Sequence, residues 1–357
     1  MPRFQILSLI GGGIRGAFIT AYLDELEQTL GRPIAESFDL IAGTSTGGII
    51  AAGLALGMPA AQMHDFYVRF GEKIFSPRPK YRAKGWMRLV YPLANKVFLH
   101  KTGYALDSAF RARFCPHALQ ESFDEGFGDQ TLRSVESTRL IIPSFNLTQG
   151  MPHIFRSRHL PKGVHDQDVK ISDVVIAATA APTYFPHRQI KGNAFVDGGV
   201  WAADPSLLAY AEANRISQFD HCAMENGQPL CEQRDIHLLS IGTGSAEFSL
   251  SPPGGDAGLL YWAPRVADVM GMSQVLGTHL PLKFLIGDRY RHINFKMSER
   301  WPLDAVENIP KLFAMGRQRA TDTFETVNAE FFQHQRVKFR PFTDTTQEIQ
   351  LDEFGLA

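Results

Sequence analysis

Three short stretches of this sequence hold the groups best suited to chemistry, and the first contains a serine. Gly43-Thr44-Ser45-Thr46-Gly47 follows the apolar run Phe38-Asp39-Leu40-Ile41-Ala42 and precedes Gly48-Ile49-Ile50-Ala51-Ala52-Gly53-Leu54-Ala55-Leu56. This order reads as a buried strand, a sharp turn and a helix of small residues. A serine at such a turn is lifted clear of the sheet edge, with the positive end of a helix beneath its hydroxyl. Gly43 and Gly47 would keep the turn free of side chains that collide with neighbouring backbone. The plainer reading is that Ser45 or Thr46 only caps the helix.

The second stretch, Gly11-Gly12-Gly13-Ile14-Arg15-Gly16, also lies between a strand-like run (Phe4–Ile10) and a helix. Two functional readings stay open for it. With Asp39 some way downstream it satisfies the dinucleotide-binding fingerprint. Alternatively, its unobstructed backbone amides face a developing oxyanion. A nucleophile at the adjacent strand end separates the two, and Ser45 suits that role.

A nucleophilic serine needs a base, and the third stretch supplies a candidate. Asp197 ends the strand-like run Ala194-Phe195-Val196 and precedes Gly198-Gly199. If its strand runs parallel to that of Ser45, the carboxylate lies on the same sheet edge; the plainer reading is a favourable Asp-Gly turn. The twelve histidines show no metal-binding spacing. His187, His221, His237 and His279 lack a strand end with turn glycines and rank below Asp197 as bases.

The elements that must position these groups alternate. Strand, helix, strand and helix follow one another through Pro59, with Phe18, Tyr22, Leu23, Leu26 and Leu30 at helical spacing on the first helix. That order implies a parallel sheet covered by helices. Further strands are expected at Arg139–Phe145, Ala194–Asp197 and Ile236–Ile241, and a long helix from Pro310 to about His334. Residues 252–283 are apolar and punctuated by Gly and Pro. Residues 78–101 hold seven Lys/Arg and no Asp or Glu, interleaved with Trp86 and Tyr91, which suits an anionic membrane surface.

Bulk properties narrow the field. A chain of 357 residues with 44% apolar and 20% charged residues is an ordinary globular protein with room for a large core. A net charge of −1 offers no case for a nucleic acid polymer. Cys115, Cys222 and Cys231 form no C-x-x-C pair, so neither a disulfide framework nor a zinc site is expected. No signal peptide is expected, because the first residues run straight into a strand-like segment without a long apolar core, and no stretch approaches about 20 apolar residues. A cytoplasmic protein, at most peripheral at the inner membrane, is expected.

Taken together, the glycine loop at 11–16, Gly-Thr-Ser-Thr-Gly-Gly at 43–48 and Asp-Gly-Gly at 197–199 resemble the patatin-like phospholipases. Ala178-Thr179-Ala180-Ala181-Pro182-Thr183-Tyr184-Phe185 and Leu239-Ser240-Ile241-Gly242-Thr243-Gly244 extend the match in the family's order. The resemblance implies an α/β three-layer fold with a central, mostly parallel sheet. It implies one domain over residues 1–340, largely helical from about 250, with a tail at 341–357. It implies hydrolysis of membrane phospholipid acyl esters by a Ser45–Asp197 dyad without a histidine or a cofactor. Amides at Gly12, Gly13 and Ile14 would hold the oxyanion, and Arg15 would anchor their loop. Ile10 and Asp204-Pro205 depart from the family, which often has an Asp before the glycines and commonly an Asn-Pro after its aspartate. Some bacterial members of similar length are antiviral effectors switched on by cyclic nucleotides, though no residue here marks a nucleotide pocket. The alternatives are a non-catalytic nucleotide-binding Rossmann-like module and an inactive membrane scaffold.

Overall fold

The computed structural model describes residues 3–75, 87–102, 110–160, 164–219, 224–225, 228–229, 235–246, 258–262, 265–297, 301–334, 336 and 339–341. His221, Cys222, Cys231, the basic cluster Lys80, Arg82 and Lys84 with Trp86, and the tail from 342 lie outside the described residues. The strands are β1 (Phe4–Leu9), β2 (Leu40–Gly43), β3 (Arg139–Asn146), β4 (Met151–Arg156), β5 (Arg188–Ile190) and β6 (Asn193–Asp197). They continue as β7 (Met224–Glu225), β8 (Gln228–Pro229), β9 (Ile236–Ile241), β10 (Ser245–Ala246), β11 (Tyr290–Ile293) and β12 (Lys296–Met297). The helices are α1 (Gly16–Leu30), α2 (Thr46–Ala55), α3 (Ala60–Ile74), α4 (Met87–Thr102) and α5 (Pro116–Phe127). After them come α6 (Ile171–Thr179), α7 (Ser206–Phe219), α8 (Leu259–Trp262), α9 (Val266–Ile286) and α10 (Ile309–Val327).

The main sheet has eight strands in the order β11-β9-β1-β2-β3-β6-β5, with β4 also paired to β3. Pairs β11–β9, β9–β1, β1–β2 and β2–β3 are parallel. Pairs β3–β4, β3–β6 and β5–β6 are antiparallel. One expectation changes here: the Asp197 strand is antiparallel to its neighbour. Residues 141–146 of β3 give one edge to β4. The other edge pairs with β2 through Ile141 and with β6 from Ser144 onward. Thus β2 and β6 share one edge of β3 and run toward each other, so their C-terminal ends meet head to head.

Side chains alternate across the sheet as a pleated strand requires. Leu7, Leu9, Ile41, Ile142 and Leu239 face a core built with Phe18, Ile50, Met63 and Leu312. Phe4, Ile6, Leu40, Ile141 and Leu238 face Ala209, Ala213 and Ile216 of α7 with Leu282 and Ile286 of α9. The result is three layers, helix on sheet on helix. Each fully buried Leu, Ile or Phe contributes about 1.5–3 kcal/mol to that arrangement. Helix α1 ends where Gly31 turns left-handed (φ 69°) and its amide closes on the Glu27 carbonyl at 2.8 Å. Of the Gly/Pro-punctuated stretch, residues 266–283 belong to the single 21-residue helix α9, with Pro281 inside it.

Helix α10 lies on α1 so closely that a Cβ built on Gly316 would stand 2.5 Å from the Phe18 carbonyl oxygen. A Cβ on Gly277 of α9 would touch nothing within 4 Å. Gly316→Ala should therefore cost about 1–3 kcal/mol and lower Tm by several degrees, because the helix pair must part. Gly277→Ala should leave Tm unchanged or raise it, since it gains helix propensity without a clash. Calorimetry on both variants checks the contrast, and equal losses would contradict this packing.

Candidate active site

Ser45 sits where β2 ends and α2 begins, with φ 53° and ψ −124°. A non-glycine residue with positive φ is strained by its Cβ. The flanking glycines show why the chain tolerates it. A Cβ on Gly43 would run into the Gly47 carbonyl, and one on Gly47 into the Leu9 carbonyl of β1. Thr44 pins the turn from below, its hydroxyl donating to the Ala202 carbonyl at 2.6 Å and its amide to the Leu9 carbonyl at 3.1 Å.

Asp197 arrives from β6 at the same point. Its amide donates to the Ala180 carbonyl at 3.1 Å, which ties the end of β6 to the Ala178–Phe185 stretch. Gly198 presses against β3 so tightly that a Cβ would meet the Pro143 carbonyl. The carboxylate accepts the Gly199 amide at 2.7 Å and faces the Ser45 hydroxyl. Burial pushes the carboxyl up to about 6, while hydrogen bonds from Gly199 and Ser45 pull the other way. A carboxyl poised there is ionised at neutral pH and basic enough to take a proton.

The backbone donors around Ser45 are set by peptide planarity, which points each N–H opposite to its C=O. The Gly11 carbonyl accepts the Thr243 hydroxyl at 2.9 Å, so the Gly12 N–H of that peptide points away from Thr243. The Gly12 carbonyl accepts the Arg15 Nε at 3.2 Å, which turns the Gly13 N–H away from Arg15. The Ser45 carbonyl accepts the Gly48 amide at 2.8 Å inside the helix, which aims the Thr46 N–H out of it. Among the described residues, the amides of Gly12, Gly13 and Thr46 show no backbone or side-chain acceptor. Ile14 is a correction. Its amide donates to the Leu303 carbonyl at 2.8 Å and is not free for an oxyanion.

These groups open onto one cavity of about 700 Å³. Its wall includes Ser45, Asp197, Gly12 and Gly13 together with apolar side chains such as Ile49, Phe66, Phe123 and Phe185. The combination of a long apolar space and a few converging polar groups suits an acyl chain with its ester at Ser45. No histidine lines it among the described residues. His187 is exposed, His279 bonds the Tyr290 hydroxyl, and His237 pairs with Gln5 at the far end of the sheet. Asp39 lies at that far end too, accepting the Gln5 amide at 2.8 Å, so it stands away from the glycine loop. That position removes the acidic partner from the dinucleotide reading. No metal-binding group of His, Cys, Asp or Glu occurs among the described residues.

Two groups that sequence reading passed over brace the site. Thr243 is the first; its stretch was quoted above but not its role. Gln274 of α9 is the second: its Oε1 accepts the Ala203 amide at 3.0 Å and its Nε2 donates to the Val200 carbonyl at 3.2 Å. Ala203 in turn accepts the Gly11 amide at 3.2 Å, so one glutamine steadies both the loop after Asp197 and the glycine loop. The departures from the family are accommodated. Ile10 donates its amide to Ile241 at 3.0 Å within the sheet. Asp204 accepts the Ser206 amide at 2.9 Å where α7 begins; its carboxyl, pushed up to about 6 by burial, stands outside the cavity wall.

A sequence model of the patatin-like phospholipases matches residues 7–210, which span the glycine loop, Ser45 and Asp197. The chain belongs to the patatin-like phospholipase family. That membership makes it a lipid acyl hydrolase of the carboxylic ester class. A Vibrio cholerae protein named cGAMP-activated phospholipase is 31% identical, covering 95% of this chain and 97% of that relative. An Escherichia coli protein of the same name is 30% identical over 86% of this chain and 79% of its own length. Patatin-like protein 4 of Arabidopsis thaliana is 33% identical over 68% of this chain and 60% of its own.

Thr243→Val keeps the shape that packs beside Gly12 but loses the donor to the Gly11 carbonyl. It should lower kcat on a soluble ester about tenfold to a hundredfold with KM nearly unchanged, a fraction of the loss from deleting an oxyanion donor. An unchanged kcat would exclude the role. With Asp197 as the general base its carboxyl must be ionised, and kcat/KM is then expected to rise with pH through a midpoint near 6 and level off. Asp204→Asn should leave that limb in place; if the limb vanishes, the titrating group is Asp204.

Proposed function

We propose that this protein is a phospholipase of the A type that cleaves acyl esters of membrane phospholipids with Ser45 as nucleophile and Asp197 as general base. The observation that carries the reading is the buried Asp197 carboxylate facing the Ser45 hydroxyl, beside the amides of Gly12, Gly13 and Thr46, which have no acceptor among the described residues. Ser45 Oγ attacks the ester carbonyl carbon as its proton passes to Asp197. The carbonyl oxygen gains the negative charge and is held by the amides. Collapse breaks the ester C–O bond, and Asp197 returns the proton to the leaving lysophospholipid alcohol. Asp197 then takes a proton from water, whose oxygen attacks the acyl carbon. The second collapse frees the fatty acid and restores the Ser45 hydroxyl.

Residues 1–340 are read as one domain acting from the cytoplasm at the inner membrane surface. Activation by a cyclic nucleotide is part of the proposal, supported by the names of relatives that this chain matches over most of its length. Arg15 acts in it as the anchor of the Gly12 peptide.

A fluorophosphonate probe tests the nucleophile directly. Labelling of the wild type in the presence of cyclic GMP–AMP should map to Ser45 and disappear in Ser45→Ala. Asp197→Asn should label at least about a hundredfold more slowly, the upper range for removing a general base. Labelling that persists in a folded Ser45→Ala protein would sink the assignment.

A further inference from the structure

Helix α9 has a solvent-facing stripe that the catalytic reading does not use. Val266, Met270, Leu276, Leu280, Phe284 and Leu285 are all exposed, Phe284 at 79% and Leu276 at 63%. With Ser273 and Gly277 they recur at helical spacing along the 21-residue helix, a length of about 31 Å at 1.5 Å per residue. Among the exposed described positions of this helix Lys283 is the sole charge, and none is a carboxylate. The stripe is not packed against other described parts of the chain at Gly277 either: a Cβ added there would meet nothing within 4 Å.

The same helix forms part of the cavity. Met270 and Leu276 belong to the wall that holds Ser45 and Asp197, yet both are exposed. One end of the stripe is thus the rim of the cleft, and the other runs outward to Phe284. The inner side of the helix is held by Leu282 and Ile286 in the core and by Gln274 at the Asp197 loop. An apolar ridge of this size on a water-soluble surface marks a contact. Its continuity with an acyl-sized cleft decides which one. An acyl chain must pass from a bilayer to Ser45 with little exposure to water, and a ridge set into the same bilayer provides that route.

We propose that the outer face of α9 is the surface by which this protein docks on an anionic phospholipid bilayer. Leu280 and Phe284 enter the acyl region and Lys283 meets headgroup phosphates, in the manner of an interfacial helix. The proposal rests on the phospholipase reading, so the test must separate the two.

Three full-length proteins are compared: wild type, Leu280→Glu/Phe284→Glu, and Phe284→Trp. Neither altered position lines the cavity, and both are exposed, so circular dichroism should show intact folding. Each is assayed on phosphatidylglycerol/phosphatidylethanolamine vesicles and on monomeric p-nitrophenyl butyrate, with cyclic GMP–AMP present. The double variant should lose at least about tenfold in vesicle binding and in vesicle hydrolysis, as expected when two large apolar groups no longer enter the bilayer. Its hydrolysis of the soluble ester should stay within about twofold of wild type. In Phe284→Trp, emission should shift to the blue on adding vesicles beyond any shift of the wild type. Unchanged vesicle binding by the double variant overturns the docking face and leaves the hydrolase reading intact. Absence of soluble ester hydrolysis in the wild type overturns the hydrolase reading instead. If sedimentation shows that the double variant only converts a dimer to a monomer, with vesicle binding retained, the face joins two copies and the proposal is wrong.

Discussion

Everything at this site depends on one backbone conformation, the positive φ of Ser45 between β2 and α2. A strained residue of this kind costs on the order of 1–3 kcal/mol and persists only when its surroundings over-determine it. Here they do. Gly43 and Gly47 let the turn close on itself and on β1, Thr44 is bonded on two sides, and α2 is buried along its whole length. The same turn exposes the hydroxyl and leaves the Thr46 amide without an acceptor among the described residues, so strain at one residue positions two of the groups the proposed chemistry uses.

The second constraint is electrostatic. A carboxylate buried without a cationic partner is held at a cost, and that cost is the source of its basicity. Among the described residues, Asp197 has only the Gly199 amide and the Ser45 hydroxyl to temper its burial. Its folded-state pKa lies above the ordinary carboxylate value, so its protonated form favours folding. That contribution is full below the unfolded value near 4 and is lost as pH rises through about 6. In the proposed role of base, ionisation of Asp197 near neutral pH works against stability at this position, a usual balance for catalytic groups. Strand topology makes the pairing possible: β3 is long enough to hold β2 and β6 end to end on one edge, which sets the two side chains face to face.

Much of this was legible in the sequence, and the reason is local. The elbow, the glycine loop and the Asp-Gly-Gly turn all need close approaches that a Cβ would block, and glycines at fixed offsets survive as a written pattern. Strand and helix positions followed from periodicity, as at Phe18, Tyr22, Leu23 and Leu26, all fully buried. What was not legible came from far along the chain. Leu303 takes the Ile14 amide, Thr243 fixes the Gly11 carbonyl, and Gln274 braces the loop at Ala203, each across dozens to hundreds of residues. Such contacts leave no mark in the spacing of either partner. The antiparallel course of β6 was missed for the same reason, because strand direction is set by pairing partners rather than by the strand's own residues. The resemblance implied a largely helical part from about 250, but the Gly and Pro content hid the course of α9 itself, which packing at Leu282 and Ile286 fixes.

In the proposed mechanism a serine and an aspartate hydrolyse phospholipid acyl esters without a histidine. Lipid mass spectrometry on defined phospholipid vesicles, with cyclic GMP–AMP present, tests it most directly. Wild type should release lysophospholipid and free fatty acid in equal early amounts, while folded Ser45→Ala and Asp197→Asn release neither above background. Product formation by either variant at the wild-type rate, or its abolition by replacing any single histidine in a folded protein, would contradict the account.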